Sequence, residues 1–238
     1  MVQTNATPQD ASGFDLYPER RENSKTNLQK ALGFMWSNPR VEKIRCEVAV
    51  QKCMDTSPLV KTMMYALRAA GCDIDPKRHI SCEPCHPDVT GGFDAEMNQI
   101  IICQNGSHSR GVIQSNLAHE MIHMFDFCRA KFDFKNAEHV ACSEVRAANI
   151  LHCSFMTAML QGETSPFDFG ATHKNCVRTK AVKSVMASSS LTKEQAEEAV
   201  DKVFPFCYND LEPIGRRIRR KSEDMERSYR ERYSFALS

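Results

Sequence analysis

No stretch of this 238-residue chain is apolar enough to enter a bilayer unaided. The longest run without a charged residue goes from Ala147 to Gly162. A spanning helix needs roughly 20 apolar residues, and this run is shorter and carries Asn149 and His152. An apolar leader is missing too. Residues 1–26 set Asp10, Asp15, Glu19 and Glu22 against Arg20, Arg21 and Lys25. That pattern is neither a secretory h-region nor an acid-poor, Arg-rich transit peptide. Net charge is almost nil, +1 from 31 basic and 30 acidic residues, so no global field draws the chain toward nucleic acid. There is no internal repeat. The expectation is a soluble or peripheral protein with a real core.

Cysteine, by contrast, is abundant: 11 residues spread along the chain rather than gathered into one finger. That usage suits an oxidising compartment, and the odd number leaves at least one thiol over. Oxidised cysteines with neither leader nor transit peptide point to the mitochondrial intermembrane space. Cys128 and Cys142 flank the link between two helices described below, and a bridge between them would clamp those helices; spacing alone assigns no pairing.

Composition divides the chain into a variable polar tail (residues 1–40), a main domain (41–211) and a charged, mostly exposed tail (212–238). Within the main domain, Ser57-Pro58 starts a helix whose apolar face is Leu59, Met63, Leu67 and Ala70. His79–Cys85 and Gln99–Cys103 read as short strands around a turn at Gly91-Gly92. Residues 162–175 read as a loop. Helices are expected over 176–190 and 192–209, the second begun by Thr192 with Glu194 and Gln195 following.

The most telling segment is His119-Glu120-Met121-Ile122-His123, an H-E-x-x-H inside a helix expected over Gly111–Cys128. Residues four apart share a helix face, with Cβ atoms about 5–6 Å apart. Two imidazoles so placed can hold one Zn²⁺, and Glu120 beside them is a general base toward water at the metal. Val112, Ile113, Leu117, Met121, Ile122, Met124 and Phe125 are apolar on more than one side, so this helix is expected to be buried. Polar groups within it then need partners, and a metal supplies one. Asp126 is either an acceptor that orients a histidine or a solvated group near the helix end.

A catalytic zinc takes three protein ligands. A second helix is expected over Asn136–Leu151, offering Glu144 and His139. Glu144 is preferred, because Ala147 and Ala148 one turn on permit close helix approach and a carboxylate completes a His₂Glu set. His139 is the alternative ligand, or a pocket residue beside the substrate. Arg146 is read first as a structural ion pair and second as a group that polarises a substrate carbonyl.

Two further motifs compete. Cys82-Glu83-Pro84-Cys85-His86 fits a c-type haem attachment or half a zinc site, but has no matching second half nearby, although Cys103 and His108 could be recruited; a disulfide or plain turn is the default. The basic cluster Arg216–Lys221 is a solvated tail or an attraction to anionic lipid, and no aromatic or groove-reading element accompanies it for nucleic acid. His108, His152 and His173 lack partner spacing and are read as ordinary.

The segments GCDI, HISCEPC, GGFD, AHEMIHMFDFCRA, HVACSEVRAANI, CVRTKA, AVDKVF and CYNDLEP together resemble the mitochondrial inner-membrane metalloproteases of ATP-synthase assembly, called the Ku-binding protein family in animals. The likeness runs from about Ser57 to about Arg217. It departs at Ile150-Leu151-His152-Cys153, where the family pattern has Ser, Gly and an acid before the cysteine. The resemblance implies an α+β, zincin-like metalloprotease domain, mostly helical with a small sheet. It implies one catalytic Zn²⁺ held by His119 and His123, with Glu120 as acid/base and Glu144 in the family's ACSE block. It further implies an endopeptidase peripheral to the inner membrane on its intermembrane-space side. Its substrate would be the precursor of ATP synthase subunit a, and assembly intermediates of that enzyme would be its other partners. The alternative is a non-proteolytic assembly chaperone that retains the fold and has no need of Glu120.

Overall fold

The computed structural model describes residues 38–106, 109–153, 169–219 and 222–235. The expected tail up to residue 37, His108, the first part of the 162–175 loop, Arg220 and Lys221 lie outside these residues. The described chain is α+β, helical for the most part with one three-stranded sheet. It divides into two compact units, Met1–Ser57 with Asp73–Glu120, and Pro58–Cys72 with Met121–Ser238.

The first unit opens with α1, Pro39–Thr56, capped by the Asn38 side chain accepting from the Arg40 N–H and started by Pro39. Cys46, Val50, Cys53 and Met54 recur at helical spacing and form its buried side. A short helix, α3 (Pro76–His79), leads into β1 (Ile80–Glu83), then β2 (Gly91–Asp94) and β3 (Gln99–Cys103). The sheet order is β1-β3-β2, with β1 parallel to β3 (Ile80 opposite Ile100) and β2 antiparallel to it (Gly91 opposite Ile102). Ile100 and Ile102 of the central strand are fully buried. Two disulfides fasten the sheet, Cys46–Cys82 from α1 to β1 and Cys85–Cys103 from just past β1 to the last residue of β3. The C-x-x-C-H stretch therefore serves two separate crosslinks, and neither haem nor zinc is needed to explain it.

One expectation fails here for a physical reason. Gly91-Gly92 is the start of a strand, not a turn. A Cβ on Gly91 would lie 2.9 Å from the Ile101 carbonyl oxygen and 3.4 Å from Glu120 Oε1. Glycine is required by close approach of two backbones, a tertiary demand that resembles a turn signal when read locally.

The second unit begins with α2, Pro58–Ala69, whose buried side is Leu59, Val60, Met63, Ala66 and Leu67; Ala70 lies past its end and is exposed. The helix α4, Arg110–Arg129, is unbroken and belongs to both units in turn. It is followed by α5 (Ala137–Ala147), a π-helical turn (Ala148–His152), α6 (Phe169–Ser188) and α7 (Lys193–Cys207). Asn136 caps α5 through Glu138 N–H, and Thr192 with Gln195 forms a reciprocal capping box on α7. The core of α5, α6 and α7 is made of small residues, among them Ala141, Val145, Val177, Ala181, Ala196 and Val200, which let the helices approach closely. The single helix expected over Asn136–Leu151 thus ends in a π turn, at the segment that departs from the family pattern. The expected loop over 162–175 already turns helical at Phe169.

Three disulfides brace this unit, Cys72–Cys128, Cys142–Cys207 and Cys153–Cys176. The bridge considered between Cys128 and Cys142 is not formed; Cys128 pairs with Cys72, just past α2, and Cys142 with Cys207 of α7. The leftover thiol is Cys53, which is buried. The segment from Glu212 onward leaves Arg219, Glu223, Glu226, Arg227, Arg230 and Glu231 exposed, yet part of it packs inward. Ile214 is fully buried, Ile218 nearly so, and Ile218 N–H donates to Ile150 O at 2.7 Å. Three of its arginines have partners: Arg216 pairs with Glu231, Arg217 donates to Asn149 Oδ1 at 2.6 Å, and the exposed Arg219 pairs with the buried Asp224 at 2.7 Å. Two more helices, α8 (Asp224–Arg230) and α9 (Arg232–Phe235), follow, and Arg232 lies against the rings of Tyr65, Tyr229 and Tyr233. Among the described residues, no helix is long and apolar enough to cross a membrane.

Candidate active site

Helix α4 supplies three of the site residues from consecutive turns. Its N-terminus is capped by Ser109, whose Oγ accepts from Val112 N–H at 3.4 Å, and its middle is buried on all sides: Leu117, Ala118, Met121 and Ile122 have no exposed surface. Within that apolar run Glu120 and His123 are buried and His119 is partly buried. Glu120 faces the start of β2, where Gly91 leaves room for its carboxylate. Because β2 lies at one edge of the sheet, the carboxylate sits beside an edge strand.

Helix α5 supplies Glu144, also buried. Potential ligand atoms of His119, His123 and Glu144 all lie within 4.8 Å of one another, and theirs is the group of three or more such side chains found among the described residues. His123 Nε2 and Glu144 Oε1 are 3.5 Å apart, about the separation of two ligand atoms on one tetrahedral zinc with bonds of roughly 2.0–2.1 Å. Burial holds the His123 imidazole well down, to about 4, with Asp126 opposing and Arg146 reinforcing the shift. The ring is therefore neutral near pH 7 and offers a lone pair. Two imidazoles and a carboxylate converging in a buried place are a donor set that suits Zn²⁺.

Behind His123 lies a polar chain. Its Nδ1 is 2.7 Å from Ser143 Oγ, and Ser143 Oγ donates to Asp126 Oδ2 at 2.8 Å. Asp126 in turn meets Arg146 and, at 3.2 Å, Arg129. Arg146 has no exposed surface and also reaches Asp210, at 2.9 Å, and the Glu212 carbonyl. Arg129 reaches Glu212 at 2.6 Å. Asp126 thus meets the histidine through Ser143 rather than directly. Ser143 itself had no signal in the sequence beyond lying next to Glu144.

The structure does not bring His139 to this group. Its Nδ1 accepts from Asp133 N–H at 3.0 Å and its ring lies against Phe132; it closes the turn before α5. Arg146 is fully buried and committed to three partners, as its reading as a structural ion pair has it. His152, on the π turn, is pushed down to about 4 by burial, with Lys180 and His123 adding to the effect.

The sequence pattern of the peptidase M76 family matches residues 44–215. The chain belongs to the peptidase M76 family. Its curated relatives agree. A Danio rerio protein named mitochondrial inner membrane protease ATP23 homolog is 42% identical over 208 residues, covering 86% of this chain and 78% of that one. The Homo sapiens protein of the same name is 39% identical over 203 residues, covering 84% and 79%. The mitochondrial inner membrane protease atp23 of Schizosaccharomyces pombe is 36% identical over 181 residues, covering 75% and 94%. No solved structure matches the chain. As an M76 member the chain is a peptidase, and the resemblance drawn from its motifs is to the same group of proteins.

Proposed function

We propose that this peptidase is a zincin-like zinc metalloendopeptidase of the mitochondrial intermembrane space, peripheral to the inner membrane. Its substrate is the precursor of ATP synthase subunit a, which it matures at the N-terminus, and it assists assembly of the ATP synthase membrane sector. The observation that carries the reading is the convergence of His119, His123 and Glu144 with Glu120 one residue from the first ligand. The compartment is supported by five disulfides and by the names of the relatives. Peripheral attachment fits the lack, among the described residues, of a helix able to cross a membrane. The particular substrate rests on the motif resemblance.

His119, His123 and Glu144 would hold the ion. When bound, it supplies Lewis acidity that makes water nucleophilic near neutral pH and polarises the scissile carbonyl. Glu120 takes the proton from the attacking water and returns it to the leaving amine nitrogen. Its burial beside Gly91 keeps the carboxylate in one place and away from bulk water. The edge strand β2 gives an extended polypeptide a backbone to pair with, next to that carboxylate. A preserved Glu120 favours this reading over a chaperone that only keeps the fold.

The experiment is cleavage of a purified subunit a precursor segment by zinc-loaded protein, followed by mass spectrometry of the new N-terminus. A single cut by the native chain and none by Glu120→Gln is expected. Absence of cleavage by zinc-loaded native protein, with subunit a assembly still restored in cells by Glu120→Gln, would turn the assignment to the chaperone.

A further inference from the structure

The chain of groups behind His123 has a direction, and that direction decides which nitrogen faces the metal place. A serine hydroxyl carries one hydrogen. Asp126, paired with Arg146 and Arg129, is a carboxylate and accepts only. The Ser143 hydrogen therefore goes to Asp126 Oδ2, 2.8 Å away. Ser143 Oγ then receives a hydrogen from His123 Nδ1 at 2.7 Å. With the Nδ1 hydrogen so used, the ring nitrogen that can offer a lone pair to a metal is Nε2, the atom 3.5 Å from Glu144 Oε1.

We propose that Ser143 and Asp126 are positioning residues that lock His123 in its Nδ1–H tautomer, with Arg146 and the Asp210–Glu212 segment fixing the polarity of the chain. The proposal rests on the reading of His123 as a ligand. The remote anchor is built twice over. Cys142, one residue before Ser143, is crosslinked to Cys207. Arg146, three residues after it, binds Asp210 and the Glu212 carbonyl. The two ties grip the same stretch of α5 from either side of Ser143 and Glu144. This assigns a task to the CYNDLEP segment, which lies far from His119–His123 in sequence: it holds the arginine that holds the aspartate.

Polarity gives the proposal a distinctive consequence. In Asp126→Asn the single carbonyl oxygen is claimed by Arg146, so the amide NH₂ faces Ser143. The serine must then accept from Asn and donate to His123 Nδ1, which places the ring hydrogen on Nε2 and turns it against the metal. Ser143→Ala removes the lock without reversing it, and Ser143→Thr keeps the hydroxyl.

The test uses the full chain labelled with ¹⁵N-histidine, zinc-free and zinc-loaded, with zinc affinity taken from chelator competition. The native zinc-free protein should show His123 with Nδ1 protonated. Ser143→Ala should lose about 10–100-fold in zinc affinity, the usual effect of removing a group that orients a ligand. Ser143→Thr should restore most of it, and Asp126→Asn should lose more than Ser143→Ala while its His123 hydrogen moves to Nε2. Thermal midpoints of the zinc-free variants separate this from a merely structural role, which would lower the midpoint and leave affinity and tautomer alone. A native His123 bearing its hydrogen on Nε2, or a Ser143→Ala protein that binds zinc as the native one does, overturns the proposal. Failure of the native chain to bind zinc at all would instead overturn the metal reading beneath it.

Discussion

Gly91→Ala is a one-carbon perturbation whose effects on stability and catalysis both follow from geometry. The added Cβ would lie 2.9 Å from Ile101 O, a backbone atom of the paired strand β3, and 3.4 Å from Glu120 Oε1. The first contact is too short to persist, and its partner is no flexible side-chain end. β2 must therefore move away from β3. Overpacking of this kind costs about 1–3 kcal/mol. For a chain of this length each kcal/mol lowers the thermal midpoint by roughly 2–4 °C, so a fall of about 2–12 °C is expected. The second distance is ordinary contact, but the forced shift of β2 moves the wall against Glu120, the proposed general base, by a few tenths of an ångström. Since a 1 Å misplacement can remove about 10²-fold in rate, a loss on the order of tenfold in kcat is expected, with zinc content unchanged. Gly92→Ala is the control, because nothing lies within 4 Å of its Cβ position. The assay is a thermal melt beside precursor cleavage for both variants. If Gly91→Ala matches Gly92→Ala in both measurements, the close approach of β2 to Glu120 is wrong.

Four further outcomes are expected. Glu120→Gln should abolish peptide hydrolysis yet retain zinc near the native stoichiometry in metal analysis, because an amide keeps the shape but cannot take a proton. Glu144→Ala should lose zinc on dialysis against a mild chelator and His139→Ala should keep it; the reverse order would move the third ligand to His139. Arg146→Met should destabilise the protein by about 3–5 kcal/mol in denaturant melts, since it leaves Asp126 buried without its main cation; a change under 1 kcal/mol would deny that network its structural weight. Alkylation without reductant should label one cysteine, Cys53, and only after unfolding, because Cys53 is buried and the other ten are bridged; labelling of most thiols would reject the oxidised state.

What could be read from the sequence was whatever is encoded within one or two helical turns. His119, Glu120 and His123 declare themselves because a helix turns their spacing into a shared face, and Glu144 followed from small neighbours on an equally local pattern. Thr192 and Gln195 announced a cap in the same way. What needed the structure depends on partners distant in sequence. Ser143 looks like any serine until Asp126 and His123 of another helix are placed beside it. The pairing of Cys142 with Cys207, rather than with Cys128, is fixed by how α5 meets α7. Gly91 looked like a turn because its reason for being glycine lies in Ile101 and Glu120. The segment after Glu212 looked exposed because of its charge, and much of it is, but Arg216, Arg217 and Arg219 each pair with a group of the fold and Ile214 and Ile218 are buried between them.

The most direct test of the metal centre is anomalous diffraction at the zinc edge from crystals of the purified chain, with data collected on both sides of the edge. The account expects one strong difference peak bonded to His119, His123 Nε2 and Glu144, with Glu120 nearby but unbonded to it. A peak at other side chains, or none in protein shown by metal analysis to carry zinc, would contradict it.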